Sequence, residues 1–161
     1  MKKPTEAEAY KILQQLGISY QRVDHEPIFS VKRYDAVLPG PQVKNLLLKT
    51  KKGKAFYLVI LPDEKSADLK QLAAGLNCSR LSFATPAELD DLLGLQPGTV
   101  TPLALAHDSN HRIQVVIDSS IDRNDTVGFH PNINTTTLIL SFKDFERFLD
   151  WAAHPPLYSA L

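Results

Sequence analysis

Residues 43–61 read VKNLLLKTKKGKAFYLVIL, and they set the fold class. Two apolar runs, VKNLLLK at 43–49 and AFYLVIL at 55–61, flank a Lys-Gly turn. Short apolar runs separated by a glycine turn predict two strands of a hairpin. On the N-terminal side, Thr5 and Glu8 have capping-box spacing. Ala9, Ile12, Leu13 and Leu16 then recur at helical spacing, and Gly17 stops the helix. Residues 18–23 suggest a strand of imperfect alternation. Pro27 breaks the chain, Ser30 is a cap candidate for a short helix through Val37, and Leu38–Pro41 is a turn or loop.

On the C-terminal side, residues 66–76 fit a helix and 80–83 a short strand. Thr85, Pro86 and Glu88 start another helix, which ends at Gly94. Residues 102–106 and 112–117 flank Asp108-Ser109-Asn110 and predict a second hairpin. TTTLILS at 135–141 is β-branched and predicts a strand. A helix from 142 to about 152 carries Phe145, Phe148, Leu149 and Trp151, and the tail at His154-Pro155-Pro156 reads as loose. Helices and strands do not alternate regularly, which argues against a doubly wound fold. The expectation is one α+β domain over residues 1–161. It would have a curved mixed or antiparallel sheet with helices around it, and a barrel-like closure would remove exposed edges.

With 161 residues, such a domain buries roughly two-thirds of its unfolded surface. It needs neither disulfide nor structural metal, and the one cysteine, Cys78, can form no internal bridge. No apolar run approaches the roughly 20 residues of a membrane span. MKKPTEAEAY at the start lacks the apolar segment of a secretory signal, so the expected compartment is the cytoplasm. The 18 basic and 18 acidic side chains balance. Any contact with RNA is therefore expected to be a local patch, best placed at Lys44, Lys49, Lys51, Lys52 and Lys54.

Three stretches could carry chemistry. Lys44 is in phase with Leu46 and Leu48. Burying an unpaired ammonium costs several kcal/mol, so Lys44 either snorkels at a sheet edge or lines a pocket for a phosphate or carboxylate. In the loop from Gly94 to Pro102, two glycines and two prolines stiffen the chain. It is either a plain connection or a concavity of backbone N–H groups suited to an oxyanion. His130-Pro131-Asn132-Ile133-Asn134-Thr135-Thr136-Thr137 gathers hydrogen-bonding groups before a strand, as an Asn-rich turn or as a site. His25-Glu26-Pro27 reads as a strand-exit turn, and His107 and His111 read as exposed near a hairpin tip. No metal-ligand spacing, nucleophile elbow, Walker loop or dinucleotide fingerprint is present.

Taken in order, HEPIFSV at 25–31, VKNLLLK at 43–49, YLVIL at 57–61, LGLQPGTVTPLAL at 93–105, VVID at 115–118 and FHPNINTTTLIL at 129–140 resemble the YbaK/ProX group of aminoacyl-tRNA deacylases. Within it, the chain is most similar to the free-standing prolyl-tRNA editing proteins. Cysteinyl-tRNA-specific relatives carry a Gly-Arg-Arg-Gly-like segment where this chain has Phe129-His130-Pro131-Asn132. Ser30 stands where relatives usually have threonine.

The resemblance implies the prolyl-tRNA synthetase editing-domain fold and hydrolysis of mischarged tRNA, foremost alanine on proline tRNA, by a cytoplasmic monomer. It implies no cofactor and no metal, the acceptor end of tRNA as partner with prolyl-tRNA synthetase as a further candidate, and neither membrane nor DNA. Lys44 would grip the terminal adenosine phosphate region. The loop from Gly98 through Thr99, Val100 and Thr101 to Pro102 would contact the reacting carbonyl. His130 would shape the amino-acid pocket and orient the amine. Ser30, Asn45, Asp118 and Asn134 would line or support the site. Deacylation of Cys-, Ser- or a non-protein aminoacyl-tRNA, and a non-catalytic tRNA- or synthetase-binding module, stand as alternatives.

Overall fold

A computed structural model describes residues 3–27, 38, 40–51 and 55–161. Helix α1 (Glu6–Gln15) is capped by Thr5, whose hydroxyl accepts the Glu8 N–H. Strand β1 (Gln21–Asp24) follows. The expected hairpin forms from β2 (Val43–Thr50) and β3 (Phe56–Pro62), antiparallel with Lys44 opposite Leu61 and Lys49 opposite Phe56. Next come α2 (Leu69–Gly75), β4 (Leu81–Phe83) and α3 (Pro86–Leu93), the last with a complete Thr85–Glu88 capping box. A 3-10 helix (Pro102–His107) precedes β5 (Ile113–Asp118), β6 (Thr126–Phe129), β7 (Thr136–Ser141), α4 (Phe142–Trp151) and β8 (Leu157–Ser159).

The strands form one sheet of order β4-β2-β3-β5-β8 and a second of order β1-β7-β6. The β3–β5 and β5–β8 pairs are parallel and the other pairs antiparallel, so the larger sheet is mixed. This is an α+β fold. Among the described residues the two sheets stay separate and no barrel closes.

Strand alternation sends Leu47, Phe56, Leu58, Ile60, Val115 and Ile117 into the main core, with α1, α3, α4 and the smaller sheet. It sends Leu48, Val59, Leu61 and Val116 to a second cluster with Leu72 and Ala73 of α2. Both faces of the larger sheet are therefore covered, which explains why its central strands read as continuous apolar runs. Helix α4 drives Phe142, Phe145, Phe148 and Leu149 into the main core. Phe145 meets the Phe129 ring at 4.4 Å between centroids. The last residue of β6, immediately before His130, is thus held by aromatic packing.

Two expectations are corrected. Residues 102–107 are a 3-10 helix, not the first strand of a second hairpin. A short buried apolar run does not by itself separate strand from helix, and here the flanking chemistry does. Thr101 caps the segment and accepts the Leu103 N–H at 3.3 Å, and Pro102 occupies the first turn, where its missing donor costs nothing. The tail is not loose. Leu157–Ser159 adds to the sheet beside β5, and His154 is buried.

Candidate active site

The Gly-Pro loop is shaped by its own residues. Gln96, Pro97, Gly98 and Thr99 form a turn closed by a 3.1 Å bond from the Thr99 N–H to the Gln96 carbonyl. Proline at the second position and a glycine with φ +88° at the third make a type II turn, in which that glycine's positive φ is required. The Thr99 N–H is consumed by the turn. The N–H groups of Gly98 and Val100 make no hydrogen bond with the described residues.

Two contacts tie this loop to the sheets. The fully buried Thr101 donates its hydroxyl to the His130 carbonyl at 2.8 Å. The Asn45 amide donates to the Val100 carbonyl at 3.5 Å, a long bond. A small pocket of about 40 Å³ opens beside them, lined by Leu38, Gln42, Val43, Asn45, Gly128, Phe129, His130 and Thr137. Gly128 sits where a Cβ would come within 2.9 Å of both Thr137 Cγ2 and Ile139 Cδ1, so the absence of a side chain keeps this wall open.

The imidazole of His130 donates from Nδ1 to the Thr136 carbonyl at 3.0 Å, which leaves Nε2 of the neutral ring as an acceptor. Burial lowers its pKa below the ordinary histidine value. His25 adds to this, against an opposing contribution from the Thr136 bond. The His25 ring lies 5.9 Å from that of His130. Its Nδ1 donates to the Glu26 carbonyl at 2.8 Å, and its Nε2 meets the Thr137 hydroxyl at 2.7 Å. Thr136 in turn donates its hydroxyl to Asp24 at 2.8 Å.

Of the residues expected at the site, Asn45, Val100, Thr101 and His130 are therefore brought together. Gly98 and Thr99 belong to the same loop, and Pro102 begins the buried 3-10 helix behind it. Lys44 is half-buried and has no ion-pair partner among the described residues. Register puts it on the α2 side of β2, opposite Leu61, while Asn45 takes the pocket side. Asp118 is committed elsewhere. It pairs with Lys65 at 2.8 Å and accepts from Ser120 and the Leu161 N–H, so it anchors the C-terminal tail. Burial raises its pKa, but the Lys65 and Ser120 bonds outweigh that and the net shift is downward. Asn134 is half-buried in the loop after His130. Ser30, with the short helix expected after it, lies outside the described residues.

Sequence reasoning missed Gly128, read His25 as a turn and gave Thr137 no individual role. The imidazole was readable only as part of a Pro-terminated turn, and the threonine as one of three in a strand. Their meeting depends on the β1–β7 and β6–β7 registers, which place Val23 opposite Thr137 and Gly128 opposite Ile139.

A family model, the aminoacyl-tRNA editing domain, matches residues 25–148. The prolyl-tRNA editing protein ProX of Acetoanaerobium sticklandii is 32% identical over 140 residues, covering 85% of this chain and 85% of its own. The multifunctional Ser/Thr-tRNA deacylase ProXp-y of Escherichia coli K12 is 29% identical over 142 residues, covering 84% of this chain and 83% of its own. A crystal structure described as a candidate trans-editing enzyme for prolyl-tRNA synthetase superposes with a TM-score of 0.70 at 19% identity, covering 100% of this chain and 98% of that one.

Proposed function

This chain belongs to the aminoacyl-tRNA editing domain family, and we propose that it is a trans-editing deacylase whose foremost substrate is alanine esterified to proline tRNA. The observation that carries this reading is the Thr101–His130 bond. It joins a loop whose Gly98 and Val100 N–H groups meet no acceptor among the described residues to the histidine of a small, partly apolar pocket. The relatives named as a prolyl-tRNA editing protein and a Ser/Thr-tRNA deacylase support ester hydrolysis on tRNA.

In the proposed reaction, water attacks the acyl carbonyl. The bond from that carbon to the ribose oxygen breaks, and the water's proton ends on the departing ribose hydroxyl. The Gly98 and Val100 N–H groups stabilise the oxyanion, a kind of contact worth about 10²–10³ in rate per donor. The neighbouring ribose hydroxyl holds the water, so no side-chain nucleophile is needed. Lys44, on the far side of β2 from Asn45, acts through its ammonium on the terminal phosphate rather than on the reacting carbon. Asn134 and Ser30 contribute to the walls, and Asp118 supports the site indirectly through the strand end it anchors.

The pocket's volume accommodates a methyl group with little to spare. A proline-activating site cannot strongly reject alanine, because a missing methylene discriminates only about 10–200-fold. A second, smaller pocket corrects that error.

The test is release of amino acid from tRNA charged with alanine, proline, serine, threonine or cysteine, with EDTA present. Alanyl-tRNA(Pro) is expected to be hydrolysed fastest and prolyl-tRNA(Pro) spared. Lys44→Ala and His130→Ala are expected to fold and to lose most activity. Faster release of serine or threonine than of alanine would move the specificity to that of the Escherichia coli relative. Binding of tRNA without release of any amino acid would leave only a binding module.

A further inference from the structure

A groove of about 850 Å³ runs between α2 and β4, away from the candidate active site. Leu69, Ala73 and Leu81 give it an apolar floor, and the exposed Lys70 and Arg80 stand beside them. Asp68 lines it as well, with one carboxylate oxygen committed to capping α2. Past Arg80, the edge strand β4 leaves Phe83 56% exposed. Phe83 lies opposite Leu48, which packs on the α2 side of the sheet, and directly opposed residues share a face. Lys44 is on that face too, four residues along β2 from Leu48, or about 13 Å at the rise of a strand. This edge of the sheet therefore presents Lys44, then Phe83, then Arg80 with Lys70. Lys51 adjoins them, because its N–H donates to the Arg80 carbonyl at 2.9 Å.

The chain is neutral as a whole, but its cations are not equally occupied. Lys49 pairs with Glu88, Lys65 with Asp118, and Arg22, Arg112, Arg123 and Arg147 each with a carboxylate. Lys44, Lys51, Lys70 and Arg80 pair with none among the described residues. Away from this face the same holds only for Lys11 and Lys143. Paired charges largely cancel, so the unpaired ones set the local field. The basic patch expected from the sequence thus loses Lys49 and gains Lys70 and Arg80, while Lys52 and Lys54 lie outside the described residues.

We propose that this edge binds the single-stranded 3′ end of tRNA as it leads away from the acylated adenosine, with a base stacked on Phe83 and phosphates against Arg80 and Lys70. Exposed rings interleaved with cations match the bases and phosphates of a single strand, and stacking needs no particular sequence. An acidic peptide would satisfy the cations but offer nothing flat to Phe83. The path starts at Lys44, the residue assigned to the terminal phosphate, so one strand can run from the reacting ester onto the groove. A local track of this kind gives a neutral protein affinity for RNA without an overall basic excess.

The continuity at Lys44 rests on the deacylase reading above, and binding measured apart from hydrolysis separates the two. The intact protein is titrated with uncharged proline tRNA over a range of salt, with circular dichroism confirming that each variant folds. Arg80→Gln and Lys70→Gln are each expected to weaken binding and to reduce the slope of log affinity against log salt by about 1. Phe83→Ala is expected to weaken binding about tenfold with the slope unchanged. Lys143→Gln, an unpaired cation on another face, is expected to change neither. Cys78, the chain's one cysteine, lines the groove. Its alkylation should slow when tRNA is bound, and should not slow with tRNA trimmed of its single-stranded 3′ end. With alanyl-tRNA as substrate, the Arg80, Lys70 and Phe83 losses should fall in KM. Wild-type affinity in the Arg80→Gln and Phe83→Ala variants would overturn the docking surface while leaving the deacylase intact. So would equal protection of Cys78 by trimmed tRNA, or protection by polyglutamate and not by tRNA. Groove-dependent binding with no release of amino acid would overturn the deacylase and keep the surface.

Discussion

The Thr101 hydroxyl and the His130 carbonyl lie 2.8 Å apart and join two loops separated by 29 residues of sequence. The same hydroxyl oxygen accepts the Leu103 N–H, so one buried side chain caps the 3-10 helix and holds the histidine loop. Thr101→Val keeps the shape and removes both bonds. The His130 carbonyl loses its donor, and a cap is lost, for a combined cost of about 1–3 kcal/mol. We expect a lower Tm and a kcat/KM reduced at temperatures where the variant is still fully folded. A variant with wild-type Tm and wild-type kcat/KM would show that the loops do not depend on this bond.

Gly128 governs the pocket wall. An alanine methyl there would press on Ile139 Cδ1, the end of a flexible side chain, and on Thr137 Cγ2, which belongs to a β-branched side chain with few alternatives. The isoleucine can turn aside; the threonine cannot do so without giving up its bond to His25. Gly128→Ala should therefore cost about 1–3 kcal/mol through overpacking and lower kcat/KM for alanyl-tRNA more than it lowers stability. Steady-state kinetics beside a urea melt would check this. Equal losses in the two would reduce Gly128 to a packing position.

The sheet was legible in the sequence because both faces of its central strands are buried. VKNLLLK and AFYLVIL read as strands because a Lys-Gly turn joins the two runs, and the capping-box spacings at Thr5 and Thr85 announce helices with a mechanism. PLALAH was not legible as a 3-10 helix, since its buried run suits a strand equally well and the Thr101 cap matters only once the hydroxyl is seen turned back. The site was half legible. His130 and the Gly-Pro loop that holds Thr101 stand out by type, while Asn45 is implied only by the resemblance. Which side of β2 carries Lys44 follows from the register with β3, a long-range fact. His25 and Thr137, 112 positions apart, meet only because β1 pairs with β7.

On the proposed reading, the pH dependence of activity is expected to follow His130. Burial holds its folded pKa below the ordinary value of about 6.5, so the neutral acceptor form persists to lower pH than for a free histidine. Deacylation should keep its rate as pH falls past 6.5 and drop only through the lowered folded pKa. The linked stability has the same sign. The contribution is fully present above the unfolded value and is lost as pH falls through the folded one, because the unfolded chain takes up the proton first. A pH profile of kcat/KM, with the His130 ring followed by NMR, measures both. An acid limb centred above 6.5 would contradict this assignment.

The C-terminal tail should be the acid-sensitive part of the fold. Asp108 and His154 are both buried, with Oδ2 and Nε2 2.9 Å apart. The Asp108 carboxylate also accepts the N–H groups of Arg112 and Ile113 at 3.1 and 2.9 Å. Burial raises the Asp108 pKa, but the bonds from His154, Ile113 and Arg112 more than offset it and hold the carboxyl below its ordinary value. This stability is present above the unfolded carboxylate pKa and is lost as pH falls through the lower folded one. His154 lies between α4 and β8, so losing the pair releases β8 from β5. Breaking a buried pair from one side costs about 3–5 kcal/mol. Asp108→Asn should therefore lower the Tm at neutral pH and flatten the stability curve in acid, because the group that titrates is gone. Hydrogen exchange should accelerate first at Tyr158 and Ser159. The pocket's Asn45 pairs with Ile60 at one end of β3, whereas Ile113, bound to Asp108, pairs with Phe56 at the other end, so the folded fraction of the variant should keep its kcat/KM. Uniform acceleration across α4 and the larger sheet would instead mean that the pair holds the whole fold, not its last strand.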